Sequence, residues 1–187
     1  MRVLYINPLR SNIECFFLEG DRLLDSFSIP KGDDFSTFPD TIMTFMEAHN
    51  IDEFWVILGP GAFTRMRIIT LTLSSLILSR GIIVKGCHFF QLIEKNIPII
   101  QANNEEYIIR NDQGNSQHVP RKNLPPGIYE GYGSQNDFTD KKVLIEYAED
   151  WEKLGKIFSH LSPTKTLIPF YLKEPHITCS TKNTSRS

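Results

Sequence analysis

Three short apolar runs open the chain: "VLYIN" at 3–7, "IECFFLE" at 13–19 and "RLLDSFSI" at 22–29, separated by polar turns such as "EGD". Each is rich in β-branched and aromatic side chains, which predicts three consecutive antiparallel strands. Ser36 or Thr37 can then cap a helix with Pro39 and Asp40 in its first turn, and Ile42, Phe45, Met46 and His49 recur at i, i+3, i+4, i+7. One face of that helix belongs to the core. "FWVIL" at 54–58 is apolar without alternation, the pattern of a central strand covered on both faces. A second helix over about 62–79 follows, and Gly81 ends it where a left-handed residue costs least. "IIVKG" at 82–86 reads as another buried strand and "FFQLIEK" at 89–95 as a short helix.

The pattern changes after Asn96. "PIIQA" and "EEYIIR" form a hairpin pair, residues 111–134 are rich in Pro, Gly and Asn and read as loop, and "KKVLIEY" is a strand. Asp150 can cap a helix that carries Trp151, Leu154, Phe158 and Leu161 on one side. "TLIPFYL" at 166–172 reads as a last strand before the polar tail "TCSTKNTSRS". No internal repeat is present. The order β-β-β-α-β-α-β followed by a mixed segment predicts a first lobe over 1–96, a smaller second lobe over 97–175 and a flexible tail over 176–187.

A chain of 187 residues is long enough to bury a proper core. Its net charge of −2, with acidic and basic residues intermixed, supplies no field able to hold a polyanion, so direct strong nucleic-acid binding is not expected. Cys15, Cys87 and Cys179 are odd in number, far apart and in no Cys-x-x-Cys spacing, against both a disulfide frame and a zinc site and in favour of a reducing cytoplasm. "MRVLYINPLR" has too short an apolar stretch for a signal peptide. The most apolar segment, Ile68 to Leu78, is broken by Thr and Ser and bracketed by Arg67 and Arg80, which excludes it as a membrane span.

Between the central strand and the second helix lies Gly59-Pro60-Gly61, then Phe63 and Thr64. Such a corner offers unpaired N–H groups and the positive end of a helix dipole, so it could seat an anion, and its glycines allow close backbone approach. The third glycine of a dinucleotide fingerprint is missing, however, as is the Gly-Lys-Ser/Thr that grips a nucleoside triphosphate. The pattern is compatible with an anion site or with a purely structural turn.

At about 100° per residue, the second helix places Met66, Ile69, Leu73, Leu76 and Ile77 on one stripe, with Leu71 and Leu78 nearly opposite. A helix resting on a sheet needs one such stripe. The second side must be covered by the smaller lobe or by another protein.

Candidates for catalysis are few. His49, His88, His118, His160 and His176 are scattered, without metal-ligand spacing. Asp33-Asp34 and Glu105-Glu106 sit in turn-like surroundings and read as solvated surface, and no Ser or Cys occupies a nucleophile elbow.

Gly59-Pro60-Gly61-Ala62-Phe63-Thr64, followed by Arg67-Ile68 and "GIIVKG", resembles the signature of the bacterial TsaB (YeaZ) family, a Gly-Pro-Gly-Ser-Phe-Thr-Gly-x-Arg-Ile-Gly run that ends a strand and opens a helix. "QANNEEYII" stands where that family has an Asp-Ala-Arg…Glu-Val-Tyr stretch, and "PFYLKEP" at 169–175 resembles its closing Pro-x-Tyr-Leu-Arg segment. The chain departs from the family at Arg65 and Ile69, which replace glycines, and at "KGDDFST", which replaces a His-Ser-Glu approach to the first helix. The second lobe is also abbreviated.

The resemblance implies a two-lobed α/β fold similar to the actin, Hsp70 and sugar-kinase group, which is ribonuclease H-like. It further implies a protein that does not catalyse and needs no cofactor. Such a protein binds a TsaD-like partner, which transfers a threonylcarbamoyl group to the tRNA adenosine beside the anticodon, and a TsaE-like ATPase belongs to the same machinery. Active members of the wider fold carry an acidic metal-holding residue after the first strand; Asn7-Pro8 stands there and supplies no charged oxygen. The expected contact surface is Met43, Met46, Met66, Ile69, Leu73 and Leu76, so that Asp at Ile69 and Leu73 would abolish partner binding without unfolding the chain. Gly59, Gly61 and Thr64 become a remnant anion turn. Two rival expectations are a small nucleotide-dependent enzyme using the Gly59 to Thr64 turn, and a homodimer that buries the same helices.

Overall fold

The computed structural model describes residues 1–30, 32, 34–111, 113–138 and 141–171, without the side chains of residues 34–36. Two five-stranded sheets and three helices account for it.

The first sheet comprises β1 (Arg2–Asn7), β2 (Ile13–Glu19), β3 (Arg22–Ile29), β4 (Glu53–Ile57) and β5 (Ile83–Cys87), in the order β3-β2-β1-β4-β5. The three opening strands are antiparallel to one another, as their tight turns require, while β4 and β5 run parallel to β1 because each is reached through a helix. Those helices are α1 (Asp34–Ala48) and α2 (Phe63–Arg80). Gly81 closes α2 in the left-handed conformation, at φ 65°, and donates its N–H to the Ile77 carbonyl.

Side-chain alternation sorts this sheet into two cores. Leu4, Ile6, Cys15, Phe54, Val56 and Val84 face α1 and α2. Val3, Tyr5, Trp55, Ile57 and Cys87 point the other way, onto α3 (Trp151–Ser159), the 89–93 segment and Ile100 and Ile108 of the second sheet. The Trp55 and Phe158 rings stack at 4.9 Å between centroids. The continuous apolar run of β4 is thus explained: it is covered on both faces. α3 is capped by Asp150, which accepts from the Lys153 N–H at 3.0 Å.

The second sheet comprises β6 (Ile97–Gln101), β7 (Glu106–Arg110), β8 (Ser116–Pro120), β9 (Gly127–Tyr132) and β10 (Lys142–Glu146), in the order β10-β9-β6-β7-β8. The β6–β7 hairpin is as expected, and β9 runs parallel to both β6 and β10. Its smaller core gathers Ile99, Tyr107, Ile109, Tyr129 and Leu144.

Five expectations need correction. α1 begins at Asp34, so Thr37 lies within the helix and caps nothing; Ser36, the other candidate cap, lies outside the described side chains. β5 is an edge strand, with Ile83 partly open to solvent. The short helix at 89–95 shrinks to a single 3-10 turn, Phe89–Gln91. The 111–134 loop contains β8 and β9, masked in the sequence by glycines that the packing demands. Gly131 has φ 151°, and a Cβ there would stand 1.9 Å from the Ile99 carbonyl oxygen. Finally, "TLIPFYL" forms no strand over its described residues. Pro169 lacks an N–H to extend a ladder, and the segment makes only a single bridge, Gly61 with Tyr171. Asp33, His176, Cys179 and the 176–187 tail lie outside the described residues.

Candidate functional site

The glycine corner is built by the end of the chain. The Phe170 N–H donates to the Leu58 carbonyl at 2.6 Å, and the Gly61 N–H donates to the Phe170 carbonyl at 3.1 Å. The corner's own carbonyl, on Gly59, accepts from the Phe89 N–H at 2.8 Å. Gly59 sits at φ 114°, and a Cβ there would be 2.0 Å from the Phe170 oxygen, so only glycine lets the 169–171 segment dock. A Cβ on Gly61 would meet the Met66 side chain at 2.6 Å. Thr64 lies exposed in the first turn of α2. The Gly61 N–H that an anion would need is therefore spent on the chain's own backbone, and the corner is a structural joint.

Beside it, Arg65 turns inward. Its guanidinium donates to the carbonyls of Pro8 at 3.1 Å, Arg10 at 2.7 Å and Ser11 at 2.9 Å, and the residue is buried. Three charge-assisted bonds fix the loop between β1 and β2 against α2. Arg65 is thus a strut in the wall of a cleft of about 230 Å³, which Pro8, Ser11, Pro60 and Gly61 also line.

Asn7 lies at the crossing of the two sheets, fully buried. Its Nδ2 donates to Tyr132 Oη and to Glu149 Oε1, each at 2.8 Å, and its Oδ1 accepts from the Leu9 N–H at 3.0 Å. Glu149 also accepts from Arg10 at 2.8 Å with its other oxygen, and Arg10 reaches the Tyr147 carbonyl at 3.2 Å. The amide is essential here, because it donates to a carboxylate that a second carboxylate would repel. Burial pushes the phenols of Tyr132 and Tyr147 well up from their ordinary value, and the Glu149 charge adds to it. Arg10 is held above its ordinary value: burial works against the charge, but the contacts with Tyr132 and Glu149 outweigh it. Sequence reading missed Arg10, Tyr132 and Glu149, because Asn7 and Glu149 are 142 positions apart and share no local pattern.

The expected contact surface is largely misplaced. Met66, Ile69, Leu73 and Leu76 are buried in the chain's own core, since this stripe is the one α2 lays on the first sheet. Asp at Ile69 or Leu73 would unfold the protein rather than strip its surface. Met43 and Met46 are half-buried against the same core. What faces outward is the opposite stripe: Thr64, Arg67, Leu71, Ser75 and Leu78, with Leu71 57% and Leu78 86% exposed. Arg65 and Ile69, the two replacements of family glycines, both point inward and leave this outward stripe untouched.

Of the histidines, His49 packs on the Phe17 and Phe45 rings, and His118 and His160 are exposed. His88 caps the 3-10 turn, its pKa lowered by burial. Glu105 is exposed in the β6–β7 turn, and Glu106, the first residue of β7, is half-buried and accepts from Asn103 Nδ2 at 3.0 Å; Asp33 lies outside the described residues. Among the described residues no group of His, Cys, Asp and Glu could hold a metal ion.

No family model matches the chain, and no curated protein matches it in sequence. Solved structures do. YeaZ from Pseudomonas aeruginosa superposes with a TM-score of 0.60 at 15% identity, covering 90% of this chain and 98% of that one. A protein described as having similarity to peptidase YeaZ from Pseudomonas aeruginosa superposes at 0.62 and 16%, covering 92% and 99%. The fold is that of YeaZ. It is the ribonuclease H-like, actin-like α/β arrangement, carried here at a sequence identity too low to bring any activity with it. Among the described residues, no helix is long and apolar enough to cross a membrane.

Proposed function

We propose that the chain is a non-catalytic docking subunit, which pairs with a TsaD-like protein in the threonylcarbamoylation of tRNA adenosine beside the anticodon. One observation carries this reading: α2 spends a full apolar stripe on its own sheet and still presents Leu71 and Leu78 to solvent, two turns apart with small serines between them. Isolated exposed leucines are unremarkable, but two in line on one helix, beside the neighbouring α1, make a ridge suited to another protein's helices. The YeaZ fold and the Gly-Pro-Gly-Ala-Phe-Thr run support the choice of partner. Work in the cytoplasm follows from that partner.

The absence of catalysis is part of the proposal. Three features support it: Asn7 in place of a metal-holding carboxylate, the Gly61 N–H taken by Phe170, and the Arg65 guanidinium beside that corner taken by the carbonyls of Pro8, Arg10 and Ser11. The runner-up, a nucleotide-dependent enzyme at the Gly59–Thr64 corner, requires a heat of binding with magnesium and ATP. The test is co-expression of the full chain with the TsaD-like protein of the same host. A stoichiometric complex through two purification steps is the expected result; separate elution of the two chains, or magnesium-dependent ATP binding by this chain alone, overturns the proposal.

A further inference from the structure

The second sheet ends on an open strand. β10 pairs with β9 on one side only, and the pairing itself shows which backbone groups are left over. The Lys141 carbonyl accepts from Gly127 and the Tyr147 N–H donates to Gly131, so odd-numbered groups along β10 face β9. By the alternation of a strand, the N–H and C=O groups of Lys142, Leu144 and Glu146 face outward. Among the described residues, the one contact on that edge is a 3.4 Å bond from Gln135 Nε2 to the Leu144 carbonyl, made by an exposed side chain that can swing away.

The side chains beside this edge are apolar. Val143 is 50% and Ile145 46% exposed, and Ile128, directly across from Val143 on β9, is 52% exposed. Natural edge strands are usually blunted by charges, a proline or a bulge; β10 has no proline and no bulge, and its two charges, Lys142 and Glu146, are opposite in sign and stand at its two ends.

We infer that β10 pairs with β10 of a second copy of this chain, antiparallel about Leu144, to join two second sheets into one. The sequence Lys142-Val143-Leu144-Ile145-Glu146 is complementary to itself in that register. Lys142 of one copy opposes Glu146 of the other, twice over, and Val143 opposes Ile145, again twice. The outward backbone groups sit at the three positions such a ladder uses. A two-fold axis through the Leu144 pair keeps the faces of the sheet in phase, so the two Ile128, Val143 and Ile145 clusters merge into one apolar strip on one face while both ion pairs lie on the other. Register and charge pattern together favour a second copy over an unrelated extended peptide. An interface of one five-residue strand per copy falls below the usual size of a permanent dimer, so association is concentration-dependent.

This surface is separate from α2, and the test keeps the two apart. Sedimentation equilibrium of the full chain across a range of micromolar concentrations is expected to show a species of twice the 21.5 kDa chain mass. Lys142→Glu and Glu146→Lys, each alone, place like charges opposite one another and weaken association by about tenfold or more, while the double swap restores it. Circular dichroism and melting temperature report that each variant is folded. Leu71→Asp leaves the dimer unchanged. The inference is overturned if the wild-type chain stays single at every concentration, if the single swaps leave association unaffected, if the double swap fails to rescue, or if Leu71→Asp dissolves the dimer.

Discussion

The central strands of the first sheet are covered on both faces by its own chain, whereas the second sheet leaves an apolar patch open beside β10. The first has α1 and α2 on one face and α3 with the second sheet on the other, and the buried halves of β1 and β4 are apolar on both sides. The second has a small core of its own on one face, lends Ile100 and Ile108 to the core shared with the first on the other, and leaves Ile128, Val143 and Ile145 open to solvent beside its edge. A sheet covered on both faces leaves a partner only what lies outside it, which in the proposed function is the outward stripe of α2. One with an open apolar patch invites a neighbour along its edge. The two surfaces differ in kind: a helix ridge recognises shape, whereas an open strand recognises register.

The packing of the first sheet depends on the joint at its carboxyl end, and that is where a substitution should cost most. Gly59→Ala drives a methyl group into the Phe170 carbonyl at a backbone angle that L-residues avoid. It should cost about 3 kcal/mol or more, a fall of roughly 10 °C in melting temperature, and should free the 169–171 segment to proteolysis. A melting temperature within about 2 °C of wild type would show that the joint is not rigid.

Next in size is Asn7→Asp, which sharpens the contrast because Asn7 ties the two sheets together. It replaces a donated hydrogen bond to Glu149 with a second carboxylate, and about 2–3 kcal/mol is lost at neutral pH. The new carboxyl pair holds a proton above the usual carboxylate range. A raised folded-state pKa stabilises below that range and loses its effect as pH rises, so the deficit should shrink when chemical denaturation is repeated near pH 4.5. An equal deficit at both pH values would mean that Glu149 does not face the new charge. The smallest effect belongs to α2's outward side: Leu71→Asp with Leu78→Asp removes no buried contact and should change stability by under about 0.5 kcal/mol.

The first sheet could be read from the amino-acid pattern because its strands are separated by short turns and its helices carry regular stripes. β8 and β9 were hidden because Gly127, Gly131 and Gly133 look like loop, though Gly131 is there for the close approach of Ile99. "TLIPFYL" looked like a strand because apolar composition is visible while the missing N–H of Pro169 acts only where a ladder would form. Periodicity showed correctly that α2 has two apolar sides, but could not say which one meets the sheet: Met66, Ile69, Leu73 and Leu76 went inward as the denser stripe. Arg65 is legible in the sequence only as a replaced family glycine, whereas its long flexible side chain at the start of a helix folds back onto a neighbouring loop. The Asn7–Glu149–Arg10 cluster had no sequence signature, since its members meet only once both sheets are in place.

The central claim is that the outward stripe of α2 is a docking ridge for a TsaD-like protein. Calorimetric titration of that protein with the folded Leu71→Asp/Leu78→Asp variant tests it most directly. Loss of affinity by about a hundredfold or more relative to the wild-type chain, with an unchanged melting temperature, is the expected result. Wild-type affinity in the variant would contradict it.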